Sequence, residues 1–265
     1  MKFSCCIEMI FTEFSFIDRI YKAKEAGFDC VEFWVWENKD IDAIKKALDE
    51  TGLKAGIFQA NISGRMVDKK DNAKYIADVE KSVKIGKKLG VKHMFLMSDI
   101  LKEDRSVLEA PHPISDKQKI ENTKLLLTKL APLGEQNGIT FVIEPLNTKV
   151  DHRGYSLSHS QPAFDLIREI NHPNIKVLYD AYHMQIMEGN VIETIKANID
   201  AIGYFHVADV PGRFEPGTGE LNYKNIIAAL KKAGYKGTVG FEFTPKNGKS
   251  METVKRVFDE IGTRL

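Results

Sequence analysis

The chain has 265 residues, 43% of them hydrophobic, and sets 38 Lys and Arg against 37 Asp and Glu for a net charge of +1. That length lies at the top of the single-domain range and is enough to bury a sizeable core. The even charge gives no electrostatic footprint for nucleic acid or an anionic membrane, and no apolar run approaches the roughly 20 residues of a membrane helix.

From the N-terminus, Lys2 to Glu8 reads as a strand. Glu8 interrupts the only apolar run there, so no signal-peptide core is expected. Cys5, Cys6 and Cys30 show no CxxC spacing, and two of them are neighbours on a strand, whose side chains alternate faces. They read as reduced, small core residues of a cytoplasmic protein. A helix from about Phe16 to Ala26 is stopped by Gly27, and a second strand runs from Cys30 to Trp34. Next come a helix from Asp40 to Glu50, a strand from Leu53 to Phe58, and a helix from Asn72 to Leu89 with a 3.6-residue apolar period. Val91 to Met97 is the fourth strand, and Ser115 caps a long helix reaching Gln136. Ile139 to Ile143 is a short, β-branched fifth strand of the buried parallel kind. Helices at 161–170, 191–198, 222–232 and 250–261 then alternate with strands ending at Asp180, His206 and Glu242. Eight strand–helix units predict a (β/α)8 barrel, a TIM barrel, as one domain over residues 1–265. A doubly wound sheet is the competing architecture, but eight even repeats favour the barrel.

The longest irregular stretches, 98–113, 145–160 and 207–221, all follow strands. Barrel enzymes place their chemistry on that C-terminal rim. The last four strands each end in a ligand-type side chain: Glu144, Asp180, His206 and Glu242, spaced by 36, 26 and 36 residues. Neighbouring strand ends in a barrel lie about 5 Å apart, so four side chains can converge. A lone carboxylate at a strand end can simply accept a backbone N–H. Four in matched positions point instead to one divalent ion, Mn²⁺, Mg²⁺, Co²⁺ or Zn²⁺, since no thiolate forces zinc.

The runs Ile143-Glu144-Pro-Leu-Asn147, Tyr179-Asp180-Ala-Tyr-His183-Met-Gln185, His206-Val-Ala-Asp209-Val-Pro-Gly-Arg213, Glu215-Pro-Gly-Thr-Gly-Glu220 and Phe241-Glu242 resemble the hydroxypyruvate isomerase family. That family belongs to the xylose-isomerase-like superfamily of TIM barrels. The resemblance covers the whole chain, including Asn61-Ile-Ser-Gly-Arg65. It implies metal-dependent interconversion of hydroxypyruvate, or a related small sugar or sugar acid, with its aldehyde isomer. It also implies that Glu144 and Glu242 serve as metal ligands and as the acid/base pair. His206 stands where hydroxypyruvate isomerases often carry Gln and in that respect is similar to ketose 3-epimerases. Their second glutamate, six residues after the first, is here Val150, with Asp151 beside it.

Moving a carbonyl to the adjacent carbon passes through an enediol. It needs a base for the carbon-bound hydrogen and an electrophile for the oxygens. His183 is a candidate donor to a substrate oxygen, and Arg213 a bidentate partner for a substrate carboxylate. Arg65 and Glu8 are further substrate-binding candidates. Trp34, Trp36 and Phe58 either wall the pocket or pack in the core. His93 reads as a core histidine, and His112, His152, His159 and His172 as loop residues. Lys69-Lys70 and Lys87-Lys88 read as solvated helix faces. The expected partner is a small molecule, with a homo-oligomer left open. Apurinic endonucleases of the same superfamily would call for more strand-end histidines and a basic rim.

Overall fold

Nine parallel strand segments build the core of the protein in a computed structural model that describes residues 1–262. The last three residues of the single domain expected over 1–265 lie outside them. The segments are β1 (Lys2–Cys6), β2 (Cys30–Glu32), β3 (Lys54–Ala55), β4 (Ile57–Gln59), β5 (His93–Leu96), β6 (Thr140–Ile143), β7 (Ile175–Asp180), β8 (Ile202–Val207) and β9 (Thr238–Phe241). Their order is β3-β2-β1-β9-β8-β7-β6-β5-β4. β3 and β4 are two halves of one expected strand, broken at Gly56. Gly56 N donates to Val31 O at 2.8 Å and Gln59 N to Trp34 O at 2.9 Å, so the β4 half also lies against the β2 side and the sheet closes. The result is the eight-stranded barrel expected from the alternation.

The outer ring is α1 (Phe16–Glu25), α2 (Ile41–Thr51), α3 (Asn72–Leu89), α4 (Asp116–Asn137), α5 (Ser160–Ile170), α6 (Ala181–Met187), α7 (Val191–Asn198), α8 (Tyr223–Lys232) and α9 (Ser250–Glu260). Ser115 forms a reciprocal capping box with Gln118, which explains why α4 starts where it does. Gly52 and Gly90 end α2 and α3 in the left-handed region that glycine enters without strain. Among the described α-helices, α6 alone is not announced by the pattern. Its seven residues are too few to show a period. It is opened by Asp180, whose carboxylate accepts the Tyr182 N–H at 2.8 Å.

Apolar burial lies inside the barrel and between strands and helices. Phe241 is packed by Phe3, Phe28 and Phe258 at centroid distances of 5.2–5.8 Å. Phe33 and Phe58 stack at 5.4 Å in the same core, so Phe58 packs rather than walls a pocket. The three cysteines are buried and free, as expected. Short returns serve the N-terminal face, and the three long loops sit on the other rim. No helix among the described residues is long and apolar enough to cross a membrane.

Candidate metal and active site

Register positions the site. Asp180 on β7 pairs with His206 on β8, and His206 pairs with Gly240 on β9. Glu242 comes two residues beyond Gly240 and therefore faces the same side. Glu144 follows the last residue of β6, where Pro145 cannot extend the ladder. The four side chains converge: one ligand atom from each of Glu144, Asp180, His206 and Glu242 lies within 4.8 Å of the others. It is the one such group of buried residues among those described.

The interior of this cluster is short of positive charge. Glu144 Oε1, Asp180 Oδ2 and His206 Nδ1 are buried and without a hydrogen-bond partner. His206 Nδ1 lies 3.2 Å from Glu242 Oε2 and 3.8 Å from Glu144 Oε1. Burial, then the charge of Glu242, pushes the Glu144 carboxyl well above the usual carboxylate range. Burial lifts Asp180 to about 6, against the pull of Arg213 and His206. Glu242 is equally buried, but Arg213 and His206 hold it well below the ordinary value. For His206, burial works against the charged form, and the carboxylates of Glu32 and Glu242 outweigh it. Facing lone pairs of this kind call for a proton or a cation. Three carboxylates and one imidazole are a donor set that a divalent ion of the hard or borderline class fits. The cluster can thus hold a metal ion.

Three further side chains are tied to it. Trp34 Nε1 donates to Glu242 Oε1 at 2.7 Å, although the Trp34 residue is 37% exposed. Arg213, in the loop after β8, donates through Nη2 to Glu242 Oε2 at 2.5 Å and lies 3.6 Å from Asp180 Oδ2. Its guanidinium sits over the Tyr182 ring at 5.2 Å, and its buried Nε has no partner. His183, on α6, is fully buried. Its Nδ1 accepts the backbone N–H of Asn147 at 3.2 Å. A backbone N–H can only donate, so the neutral ring carries its proton on Nε2. Burial, then Arg213, keeps that ring neutral. The Nε2 lies 3.6 Å from Asp180 Oδ2 and has no hydrogen-bond partner, so its N–H faces the cluster.

Other candidates are placed elsewhere. Arg65 spends its guanidinium on Asp71 at 3.0 Å and on the carbonyls of Leu108 and Glu109. It pins the 98–113 loop and lines a separate rim cavity of about 720 Å³. Glu8 ion-pairs with Lys39 at 3.0 Å. Trp36 donates to Ser82 Oγ and packs against the core. Two residues escaped the sequence reading. Glu32, at the end of β2, is 2% exposed and lies 3.1 Å from His206 Nε2. A strand-end carboxylate was its only signal. His152, which the sequence places in a loop, is buried with its ring 5.4 Å from that of His183. Its loop folds back over the rim through His152 N to Asn147 O, a contact no local pattern reveals.

A profile of the xylose isomerase-like TIM-barrel family matches residues 20–260. The chain is 28% identical over 263 residues to a 2-oxo-tetronate isomerase of Cupriavidus necator (strain H16), covering 94% of this chain and 95% of the relative. It is 30% identical over 257 residues to the hydroxypyruvate isomerase of Escherichia coli (strain K12), covering 93% and 94%. Among solved structures, the family 2 AP endonuclease from Brucella melitensis superposes with a TM-score of 0.87 at 29% identity, over 97% of this chain and 98% of that one. A D-allulose 3-epimerase from Methylomonas sp. shares the fold, with a TM-score of 0.82 at 21% identity over 100% and 97% of the two chains.

Proposed function

The chain belongs to the xylose isomerase-like TIM-barrel family, and on that footing we propose that it is a metal-dependent isomerase of a small 2-keto acid of the hydroxypyruvate or 2-oxo-tetronate kind. The reaction moves the carbonyl to the neighbouring carbon. The observation that carries this reading is the convergence of Glu144, Asp180, His206 and Glu242 within 4.8 Å, with a guanidinium against it. The names of the relatives support the choice of substrate class.

A divalent ion held by those four residues would supply Lewis-acid polarisation of the substrate's carbonyl and hydroxyl oxygens. The chain's own residues do the rest. One of the two glutamates, Glu144 or Glu242, removes the proton from the hydroxyl-bearing carbon. The same pair returns a proton to the former carbonyl carbon. Trp34 and Arg213 grip the two oxygens of Glu242 and fix its orientation. Neutral His183 offers its Nε2 proton to a substrate oxygen. The Arg213 donors that Glu242 does not use, among them the unpartnered Nε, are left for a substrate carboxylate. Held in this way, the acid or keto group is oriented before any proton moves, which is where positioning contributes to rate.

The alternative, a ketose 3-epimerase, fits less well. Val150, where those enzymes carry a second glutamate, is 68% exposed. The neighbouring Asp151 carboxylate is taken by Asn147 and by the Tyr182 hydroxyl, both at 2.7–2.8 Å. An endonuclease would need a basic footprint for phosphates, and the net charge of +1 supplies none overall. The test is to incubate the purified protein and Mn²⁺ with hydroxypyruvate, a 2-oxo-tetronate and a neutral ketose, before and after EDTA. EDTA-sensitive turnover of a keto acid is expected. Turnover of the ketose alone, or turnover indifferent to EDTA, overturns the reading.

A further inference from the structure

We infer that Glu32 and Tyr204 are positioning residues whose role is to hold the His206 ring with its Nδ1 on the cluster. The inference rests on the reading of that cluster as a metal site. Glu32 Oε1 lies 3.1 Å from His206 Nε2, and neither buried atom makes a hydrogen bond elsewhere. Glu32 Oε2 accepts the Tyr204 hydroxyl at 2.6 Å. Tyr204 precedes His206 by two residues on β8, so both side chains emerge on the same face of the strand. Their rings meet edge to face at 5.4 Å. All three residues are buried.

A polar chain His206–Glu32–Tyr204 therefore runs from the cluster into a barrel interior that branched apolar side chains usually fill. Burying a carboxylate there is costly unless its oxygens are used. The surrounding strands are shaped to accept it. Gly240 is the register partner of His206 on the next strand. A Cβ at Gly240 would fall 2.6 Å from both Glu32 oxygens and 2.7 Å from His206 Cδ2. A Cβ at Gly56, where the third barrel strand breaks, would fall 2.7 Å from the Tyr204 hydroxyl and 2.8 Å from Ser4 Oγ. Neither glycine has a positive φ, so space rather than backbone conformation accounts for them. Two strands thus give up their side chains where this chain of groups passes.

The chemistry explains the arrangement. To ligate a metal His206 must give up the second proton that the metal-free cluster favours, which leaves a neutral imidazole with one N–H and one lone pair. A carboxylate at Nε2 favours the proton there and leaves the Nδ1 lone pair for the cluster. The Tyr204 hydroxyl, by donating to the second oxygen, keeps Glu32 from turning away. Carboxylate partners of this kind are typically worth about 10–100-fold in metal affinity. A polar cluster kept only for folding would leave affinity untouched.

Calorimetric titration with Mn²⁺ separates the two. Glu32→Gln and Tyr204→Phe should keep the far-UV circular dichroism of the wild type. They should weaken Mn²⁺ binding by about 10–100-fold, with Glu32→Gln the larger loss. A measurement on the unmutated protein guards against variants that do not fold. In Zn²⁺-loaded wild type, nitrogen-detected NMR should show His206 protonated at Nε2. Folded variants with wild-type Mn²⁺ affinity overturn the inference, as does a His206 protonated at Nδ1. A wild type that binds no Mn²⁺ overturns the metal reading as well. If Glu144→Gln abolishes binding while Glu32→Gln leaves it intact, the metal site stands and only this inference falls.

Discussion

Removing the Arg213 guanidinium tests substrate recognition through the difference between the loss on a keto acid and the loss on a neutral ketose. The side chain is 13% exposed and stands 2.5 Å from Glu242 Oε2 and 3.6 Å from Asp180 Oδ2. If its remaining edge binds the substrate carboxylate, Arg213→Ala loses a charge-assisted contact of about 1.5–3 kcal/mol, on the order of ten- to a hundredfold in kcat/KM. Arg213 has φ +56, and Ala inherits the same left-handed backbone, so the comparison isolates the side chain. A second effect is separate. Breaking a buried ion pair leaves Glu242 and Asp180 uncompensated and should cost the metal-free protein about 3–5 kcal/mol of stability. Mn²⁺ should recover part of that, because it supplies positive charge to the same carboxylates. Arg213→Lys should restore stability better than kcat/KM, since an ammonium is a cation without the planar fork. The assay is steady-state kinetics of wild type, Arg213→Ala and Arg213→Lys on a keto acid and on a neutral ketose, with melting curves in EDTA and in Mn²⁺. Unchanged kcat/KM on the keto acid, or an equal loss on both substrates, would refute the carboxylate role.

Two other outcomes are expected. Glu144→Gln and Glu242→Gln should each fold and lose most turnover, by about 10²–10⁴-fold, because an amide cannot carry a proton between carbons; a metal-bound variant with near wild-type kcat would remove that residue from the acid/base pair. His93, at the opposite end of the barrel from the cluster, gives a prediction about pH. Burial depresses its pKa from the ordinary 6.5 to about 4, so the unfolded chain holds the proton more tightly in that window. Stability from its neutral burial is present above pH 6.5 and is lost as pH falls towards 4, by up to about 3 kcal/mol. His93→Gln should therefore flatten the fall of melting temperature between pH 6.5 and 5, and a parallel fall in both proteins would count against the assignment.

What could be read from the chain is what the chain writes locally. Each barrel strand carries its own short apolar run, and the longer helices their own period, several with a cap such as Ser15, Asp40 and Ser115. The element order, the Ser115 cap and the glycine stops were legible for that reason. Glu144, Asp180, His206 and Glu242 were legible because each lies at or within one residue of the C-terminal end of a strand, and adjacent parallel strands bring their ends together whatever the loops do. Glu242 illustrates the limit. Its position followed from β9, but its Trp34 and Arg213 partners come from residues 208 and 29 positions away. The α6 helix, at seven residues, was too short for a period to appear.

Glu32 was hidden for a different reason from His152, whose loop folds back over the rim. Glu32 and His206 are separated by most of the barrel in sequence, yet β1 and β9 are all that stand between β2 and β8 in the sheet. Closure turns that interval into a gap that two inward side chains can bridge, provided nothing fills it. Gly240 is what leaves it open. A strand-interior glycine is a weak signal alone, because it lowers strand propensity for many reasons. Paired with an inward carboxylate two strands away, it marks a place where the core makes room for polar groups. The apolar periodicity that identifies a barrel is blind to such places, since they interrupt the pattern it relies on. In this chain those interruptions, Gly56 and Gly240, lie along the axis that leads to the candidate metal ligands.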